Sequence, residues 1–262
     1  MKASLKLTAR PMAGFTLIEL LVVIAIIAVL AGLLIPAVGA ARTKAQVARA
    51  RVEINGLITV INQYKQDYGV WPVPKEAQEI AAQPVGFRNK VLPPGDYTFG
   101  TATLNTVLDN DKPWLTDNRG VIAILMARNV EPNLGNARNP RKTPYLTVND
   151  AKDNTSPGIG PDNVYRDPFG NPYIISFDLD YDSRLTDRLY GLGDVSSLGS
   201  NNEPGYAGHV YNPTKTWWEA QQGVMVWSMG PDAGFTLGGG GGNPYVPGAR
   251  LGQNKDNILS WQ

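Results

Sequence analysis

The chain has 262 residues, with 24 lysines and arginines against 23 aspartates and glutamates, one histidine and no cysteine. The absence of cysteine excludes disulfides, thiol nucleophiles and thiolate metal ligands, and the single histidine excludes a histidine-rich zinc site. The near-neutral charge gives no reason to expect nucleic acid as a partner. Glycine (28 residues) and proline (20 residues) are frequent, which indicates a loop-rich soluble part.

The first element in the chain is an apolar run. Residues 20–41 carry no charge, and leucine, isoleucine, valine and alanine fill most of the positions. A helix rises ~1.5 Å per residue, so a run of this length crosses a hydrocarbon core of ~30 Å. It is apolar on all sides and longer than the ~7–15 residues of a signal-peptide core. The run therefore predicts a membrane span.

Glu19 stands at the start of this span. A lone carboxylate in a membrane costs at least ~2.5 kcal/mol to insert, so it needs water or a cation. In one interpretation Glu19 lies at the headgroup level and reaches water. In the other, a cut between Gly14 and Phe15 creates an amine four residues before Glu19, and the amine of a neighbouring subunit neutralises the carboxylate.

Residues 14–19 read Gly-Phe-Thr-Leu-Ile-Glu, which resembles the prepilin signature of type IV pilins and of type II secretion pseudopilins. In that family a short basic leader ends in glycine, and the mature protein begins with a phenylalanine that is usually N-methylated. A glutamate is fifth and a proline twenty-second in the mature protein, as Glu19 and Pro36 are when counted from Phe15. The resemblance implies a leader at 1–14, cleavage by prepilin peptidase after Gly14, and assembly roles for Glu19 and Pro36. Removal of the leader would bring the net charge near −2.

An amphipathic pattern follows the span without a break. Apolar residues recur at spacings of three and four, which predicts one face of a helix: Val47, Ala50, Ile54, Leu57, Ile61, Tyr64 and Tyr68. We expect the transmembrane helix of residues 15–41 to continue as an amphipathic helix over 42–70. Gly69 and Pro72 should end it, and its stripe should pack on the chain's own globular part.

Residues 71–262 are expected to form one globular domain. The region 73–166 is interpreted as an insertion into that domain, because neither half of it has enough apolar periodicity for a separate core. Within it, residues 91–97 predict a loop. Residues 117–129 predict a short helix capped by Asp117 or Asn118, with one apolar face.

The string Asp-Pro-Phe-Gly-Asn-Pro-Tyr at residues 167–173 predicts a turn that leads into a strand at 174–177. Residues 224–228 predict the partner strand. Both segments, and the tail at 256–261, resemble the corresponding parts of the major (G-type) pseudopilin. The resemblance implies an α+β pilin-like fold, with a long N-terminal helix packed on a small antiparallel β-sheet and long loop insertions.

The resemblance also implies a calcium site. In the major pseudopilin a calcium ion ties the loop after the penultimate strand to the acidic tail, and Asp232 and Asp256 match the two acidic positions. Calcium takes ~6–8 oxygens, so carbonyl groups and water must complete the set. Residues 233–234 and the glycines at 238–242 depart from the family pattern. A flexible hinge with two exposed aspartates is therefore the alternative.

Three further aspartates, Asp178, Asp180 and Asp182, stand at every second position of the chain. In a strand these side chains would share one face, which could hold calcium. An EF-hand loop that began at Asp178 would need glycine at its sixth position and a carboxylate at its twelfth. Ser183 and Leu189 occupy these positions. A solvated sheet face that runs into a turn is the preferred interpretation.

No motif predicts an enzyme. The glycines at 238–242 are not followed by the Lys-Ser/Thr of a phosphate-binding loop, and no nucleophile-elbow motif accompanies His209. His209 is therefore interpreted as a surface or loop histidine. Trp217 and Trp218 favour a core or interface pair over a sugar-binding platform.

These features predict a structural subunit of a pseudopilus that serves type II secretion. It would be a single-pass protein of the bacterial inner membrane with a periplasmic C-terminal domain. Its partners would be copies of itself, minor pseudopilins and the inner-membrane assembly platform of the secretion system. The alternatives are a type IV pilin or minor pilin for adhesion or DNA uptake, and a membrane-tethered enzyme or carbohydrate-binding protein.

Overall fold

The computed structural model describes residues 14–83, 95–100, 113–197, 205–234 and 254–261. Residues 1–13 and 235–253 are among those that lie outside these ranges. The helices are α1 (Leu17–Tyr68), α2 (Lys75–Ala81), α3 (Arg119–Leu125) and α4 (Gly193–Ser196), with short 3-10 turns at Pro113–Leu115, Leu134–Asn136 and Tyr206–Gly208. The strands are β1 (Asp96–Phe99), β2 (Gly158–Ile159), β3 (Tyr165–Arg166), β4 (Ile174–Asp178), β5 (Val210–Asn212), β6 (Trp217–Glu219), β7 (Val224–Ser228) and β8 (Ile258–Leu259). The long helix followed by small antiparallel sheets confirms the expected α+β pilin-like fold.

The chain divides into two compact units, Met1–Ala45 and Gln46–Gln262. In the first unit α1 continues through Pro36 and exposes apolar side chains on every side. Their exposed fractions run from 45% at Val23 to 83% at Leu17. By length and composition, α1 is the one helix of the described chain that could cross a membrane.

The second unit contains the core, and the later part of α1 contributes a stripe to it. Ala50, Ile54, Leu57, Ile61 and Tyr64 of the predicted face are buried, and the two flanking members of that face pack against the same core. Burial of each large apolar side chain is worth ~1.5–3 kcal/mol. The amphipathic stripe is therefore confirmed, and it packs on the chain's own globular part as expected.

Gly69 ends α1. Its φ is +73°, and its amide donates to the carbonyl of Lys65 at 2.8 Å. A left-handed residue after the last helical turn satisfies a free carbonyl, and glycine adopts this conformation without a steric penalty.

The main sheet is antiparallel, with strand order β1-β4-β7-β8. Ile175 of β4 pairs with Val226 of β7, and Trp227 of β7 pairs with Leu259 of β8. The predicted pairing of 174–177 with 224–228 is confirmed, and the tail adds a further strand. Two further sheets have two strands each. The β2–β3 ribbon belongs to the segment that connects β1 to β4, and the β5–β6 ribbon belongs to the segment that connects β4 to β7.

Strand β1 was not expected, because residues 91–97 had predicted a loop. Residues 96–99 form the strand beside β4, with Tyr97 opposite Phe177, while 91–94 lie outside the described residues. All four side chains of β1 are buried, although Asp96 and Thr98 are polar, and the alternation of polar and apolar residues spans only these four positions. The loop prediction is wrong for this part.

Helix α3 is also shorter than predicted and is buried on all sides rather than on one apolar face. Asn118 occupies the N-cap position, as predicted, but its side chain makes no capping hydrogen bond, and Asp117 Oδ1 accepts from the Arg119 amide at 3.0 Å. The side-chain amide of Asn118 instead donates to the carbonyls of Tyr165, at 2.9 Å, and Tyr173, at 2.8 Å. This residue ties α3 to the strands, and the 73–166 region belongs to the same compact unit as the sheet.

Candidate functional site

The N-terminus of α1 is organised by Thr16 and Glu19. The Thr16 amide donates to Glu19 Oε2 at 2.8 Å, and the Thr16 hydroxyl donates to the same oxygen at 2.7 Å. The Glu19 amide donates in return to Thr16 Oγ1 at 3.3 Å. This reciprocal arrangement is a capping box, which satisfies helix N-terminal amides that lack an intrahelical partner. Glu19 thus has a partner within its own helical turn.

The role of Thr16 was missed at the sequence level. The signal was present, because a threonine followed three residues later by a glutamate, directly before an apolar run, is the signature of a capping box. The two residues at the predicted cleavage site are accessible. Phe15 is 74% exposed, and a Cβ atom placed on Gly14 would meet no atom within 4 Å. A requirement for glycine at this position would therefore come from a processing enzyme rather than from the fold.

The two aspartates of the predicted calcium site lie together. The loop after β7 turns at Gly230, whose φ is +70°, and a Cβ atom there would lie 2.4 Å from the carbonyl oxygen of Asp256. The tail therefore passes directly over this loop. The same Cβ atom on Gly230 would lie 3.3 Å from Asp256 Oδ2, and Asp232 Oδ1 accepts from the Gly234 amide at 3.1 Å.

The environment of this pair fits a cation. Desolvation and the nearby charge of Asp232 both raise the pKa of Asp256 above its ordinary value. Two adjacent carboxylates repel each other, and either a proton or a cation relieves the repulsion. Calcium prefers carboxylate and carbonyl oxygens of this kind. The glycines at 238–242 lie outside the described residues.

His209 is not at the surface. It is fully buried, its Nδ1 lies 2.8 Å from the carbonyl oxygen of Tyr206, and its ring centre is 6.0 Å from that of Trp261. Burial lowers the pKa of the imidazole. The surface prediction is wrong, because Trp261 from the tail and Tyr190 from the β4–β7 connection pack against the ring.

The interpretation of Asp178 as part of a solvated face is also wrong. Asp178 ends β4, is 2% exposed and pairs in register with Asp96 of β1. Asp180 and Asp182 follow the strand and are exposed. Lys215 lies between them, with its Nζ 3.6 Å from Asp180 Oδ2 and 3.0 Å from Asp182 Oδ2.

Comparison with known proteins gives a match at the N-terminus. The family described as the prokaryotic N-terminal methylation motif matches residues 10–35. The chain is 34% identical over 95 residues to the type IV major pilin protein PilE1 of Neisseria gonorrhoeae, covering 36% of this chain and 53% of that protein. The chain is thus similar to a type IV pilin over about a third of its length.

Two further relatives represent both branches of the pilin-like proteins. The fimbrial protein EcpC of Eikenella corrodens is 38% identical over 91 residues, which cover 34% of this chain and 60% of that protein. The type II secretion system core protein G of Pseudomonas aeruginosa is 33% identical over 78 residues, which cover 29% and 55%. The chain thus spans little more than half the length of these curated relatives. No solved structure matches it.

Proposed function

We propose that this chain is a structural subunit of a pseudopilus that serves type II protein secretion. The chain is cut after Gly14, anchored in the bacterial inner membrane by residues 15–41, and packed helix to helix with copies of itself. The globular unit stands in the periplasm. Prepilin peptidase, minor pseudopilins and the inner-membrane platform of the secretion system are its partners, and no catalytic role is assigned to it.

The observation that carries this proposal is the apolar surface of α1. Its most apolar 18-residue window is 0% buried, and an exposed apolar surface of this extent requires a lipid or protein covering. Lipid covers it while the subunit is stored in the membrane, and neighbouring helices cover it in a filament. A tether for an enzyme or a carbohydrate binder would need only the lipid contact.

Glu19 then has two successive partners. In the uncut chain its carboxylate accepts from the amide and hydroxyl of Thr16. Cleavage converts the Phe15 nitrogen into an amine that carries positive charge. A pair between this amine and Glu19 of an adjacent subunit sets the axial register of each new subunit, because an unpaired charge in an apolar filament core is costly.

The globular unit favours the pseudopilus over the pilus. The three segments that resemble the major pseudopilin form β4, β7 and β8, which are neighbours in one sheet. Asp232 and Asp256 lie together at the end of that sheet, as the proposed calcium site requires. The type IV pilin alternative is supported by the similarity to major pilins of Neisseria and remains the second candidate.

Processing is tested by the N-terminal residue and mass of the membrane-bound protein. The wild-type chain should begin at Phe15, and Gly14→Val should keep its leader because the peptidase requires a small residue. Gly14→Ala is the matched control, since neither substitution meets a steric obstacle in the fold. A wild-type protein that still begins at Met1 contradicts the proposal.

The choice between a secretion pseudopilus and a type IV pilus is tested by deletion of the gene in its host. Loss of exported proteins from the culture medium, with surface fibres and DNA uptake intact, is the expected result. The reverse outcome, intact secretion with lost fibres or DNA uptake, assigns the chain to the pilus. Complementation with the wild-type gene is the control.

A further inference from the structure

Three aspartates meet where β1 lies beside the end of β4. Asp96 belongs to β1, Asp178 ends β4, and Asp180 follows two residues later. Each offers a carboxylate oxygen, and these oxygens all lie within 4.8 Å of one another. Asp96 is 1% exposed and Asp178 is 2% exposed. Two of the three carboxylates are therefore removed from water.

Each buried carboxylate has one oxygen without a partner. Asp96 Oδ2 accepts from the Thr186 amide at 2.7 Å, and Asp178 Oδ2 accepts from the Ser183 amide at 3.0 Å. The Oδ1 atoms of both residues are buried and have no hydrogen-bond partner. An unsatisfied buried polar atom is costly and rare in a native fold, and a charged one is more so. Something that the protein alone does not supply should bind these oxygens.

The backbone is shaped to bring these charges together. Asp96 is directly opposite Asp178 in the β1–β4 pair, where like charges oppose each other unfavourably. Gly95 has a φ of +85°, and a Cβ atom there would lie 1.9 Å from Asp180 Oδ2. A glycine at this position thus admits the third carboxylate, which any side chain would displace.

The neighbouring cations do not balance the group. Lys215 Nζ contacts Asp180 Oδ2 at 3.6 Å, Asp182 Oδ2 at 3.0 Å and Glu219 Oε1 at 3.1 Å. Arg184 lies 3.5 Å from Glu219 Oε2. Together these two cations contact three carboxylates, and among the described residues neither forms an ion pair with Asp96 or Asp178.

We propose that Asp96, Asp178 and Asp180 bind a calcium ion, separate from the site at Asp232 and Asp256. The donors are all carboxylate oxygens, which suit calcium and magnesium and not the metals that prefer nitrogen or sulfur. Calcium accepts an irregular set of ~6–8 oxygens, whereas magnesium demands an octahedron and gives up its water reluctantly. The close-packed carboxylates, two of which are buried, therefore favour calcium. The ion joins β1 to β4.

The site is tested by calorimetric titration of the full chain in detergent micelles after removal of metals with EDTA. The starting protein carries Asp232→Asn and Asp256→Asn, which eliminates the other calcium site. We expect about one calcium ion to bind per chain, consistent with a single carboxylate cage. Absence of binding in this protein overturns the proposal.

Two further substitutions in the same protein assign the ligands. Asp180→Asn should abolish binding, and because Asp180 is exposed the fold should tolerate the change, as circular dichroism verifies. Asp182→Asn is the matched control, since this residue is exposed and contacts the same Lys215 but lies outside the cluster. It should bind as its parent does. Equal binding by the Asp180→Asn protein contradicts the assignment.

Magnesium is the test of the ion's identity. Because magnesium keeps its hydration shell, its affinity should be at least about tenfold weaker than that of calcium. Equal affinity for the two ions contradicts the choice of calcium. None of these outcomes depends on the proposed function, since filament assembly is not measured in any of them.

Discussion

At the scale of single residues, Glu19 combines two properties that can be separated. It closes a capping box with Thr16, and it carries a negative charge at the entrance of an apolar helix. Glutamine is also accepted at this position of a capping box. Glu19→Gln therefore keeps the cap and removes the charge.

We predict that Glu19→Gln is inserted and cleaved but does not enter filaments, because the inter-subunit charge pair is lost. Mass spectrometry of the membrane fraction reports cleavage, and recovery of sheared fibres reports assembly. Thr16→Ala is the matched control: it costs about 1 kcal/mol of helix capping but keeps the charge, and should assemble. Normal assembly of Glu19→Gln together with failure of Thr16→Ala would mean that Glu19 acts only as a cap.

His209 should make the stability of the globular unit depend on pH. Its folded-state pKa is lowered by burial, so below the ordinary pKa of about 6.5 the unfolded chain binds a proton that the folded chain does not. Stability should then fall as the pH falls from about 6.5, by up to about 1.4 kcal/mol per pH unit. We predict a smaller loss of melting temperature between pH 8 and pH 5.5 for His209→Phe, whose ring can pack against Tyr190 and Trp261. Parallel curves for the two proteins would contradict this role of His209.

At the scale of elements, the junction between the tail and the loop after β7 depends on Gly230. Its positive φ and the 2.4 Å approach of a Cβ atom to the Asp256 carbonyl leave no room for a side chain. We predict that Gly230→Ala displaces the tail, separates Asp232 from Asp256 and lowers the stability of the unit by more than about 1 kcal/mol.

Gly56→Ala is the matched control. Gly56 lies within α1 and has no neighbour within 4 Å of a Cβ atom, so the same change should stabilise the helix by about 0.5–1 kcal/mol. Thermal unfolding followed by tryptophan fluorescence compares the two proteins. Equal melting temperatures for Gly230→Ala and the wild type would contradict a close tail contact.

The elements that the sequence predicted well are those whose pattern is local. The stripe of α1 repeats with the helical period over several turns, and β4 and β7 are continuous β-branched and aromatic runs. Strand β1 could not be found in this way, because Asp96 and Thr98 are polar and their burial depends on β4, which lies far along the chain. The burial of His209 was missed for the same reason, because Tyr190 and Trp261, which pack against its ring, are distant from it in the sequence.

The candidate sites also differ in whether the sequence alone could reveal them. Assembly roles for Glu19 and Pro36 and a calcium site at Asp232 and Asp256 were predicted through family resemblance, and the fold brings the two aspartates together. The cluster of Asp96, Asp178 and Asp180 was recognised only in part. Asp96 comes from a different strand, so the spacing within 178–182 could not reveal it.

At the scale of the whole molecule, calcium should stabilise the globular unit. Binding to the folded state alone contributes ~2.7 kcal/mol when free calcium is a hundredfold above its dissociation constant. We predict that EDTA lowers the melting temperature of the full chain in detergent, measured by tryptophan fluorescence. The effect should shrink in Asp232→Asn/Asp256→Asn and disappear when Asp180→Asn is added. An identical transition with and without EDTA in the wild type would contradict both calcium proposals.

The order of the strands in the main sheet affects how the sequence can diverge during evolution. Its strands lie side by side in the order in which the gene encodes them, β1, β4, β7 and β8, so no connection has to pass over another strand. Lengthening a connection changes no pairing, and doubling a flexible loop costs only about 0.6 kcal/mol. Codons inserted between β4 and β7 would enlarge the outer surface around the β5–β6 ribbon while the same strands stay neighbours. Lineages that carry this gene can thus diverge in length and surface and still build the same sheet.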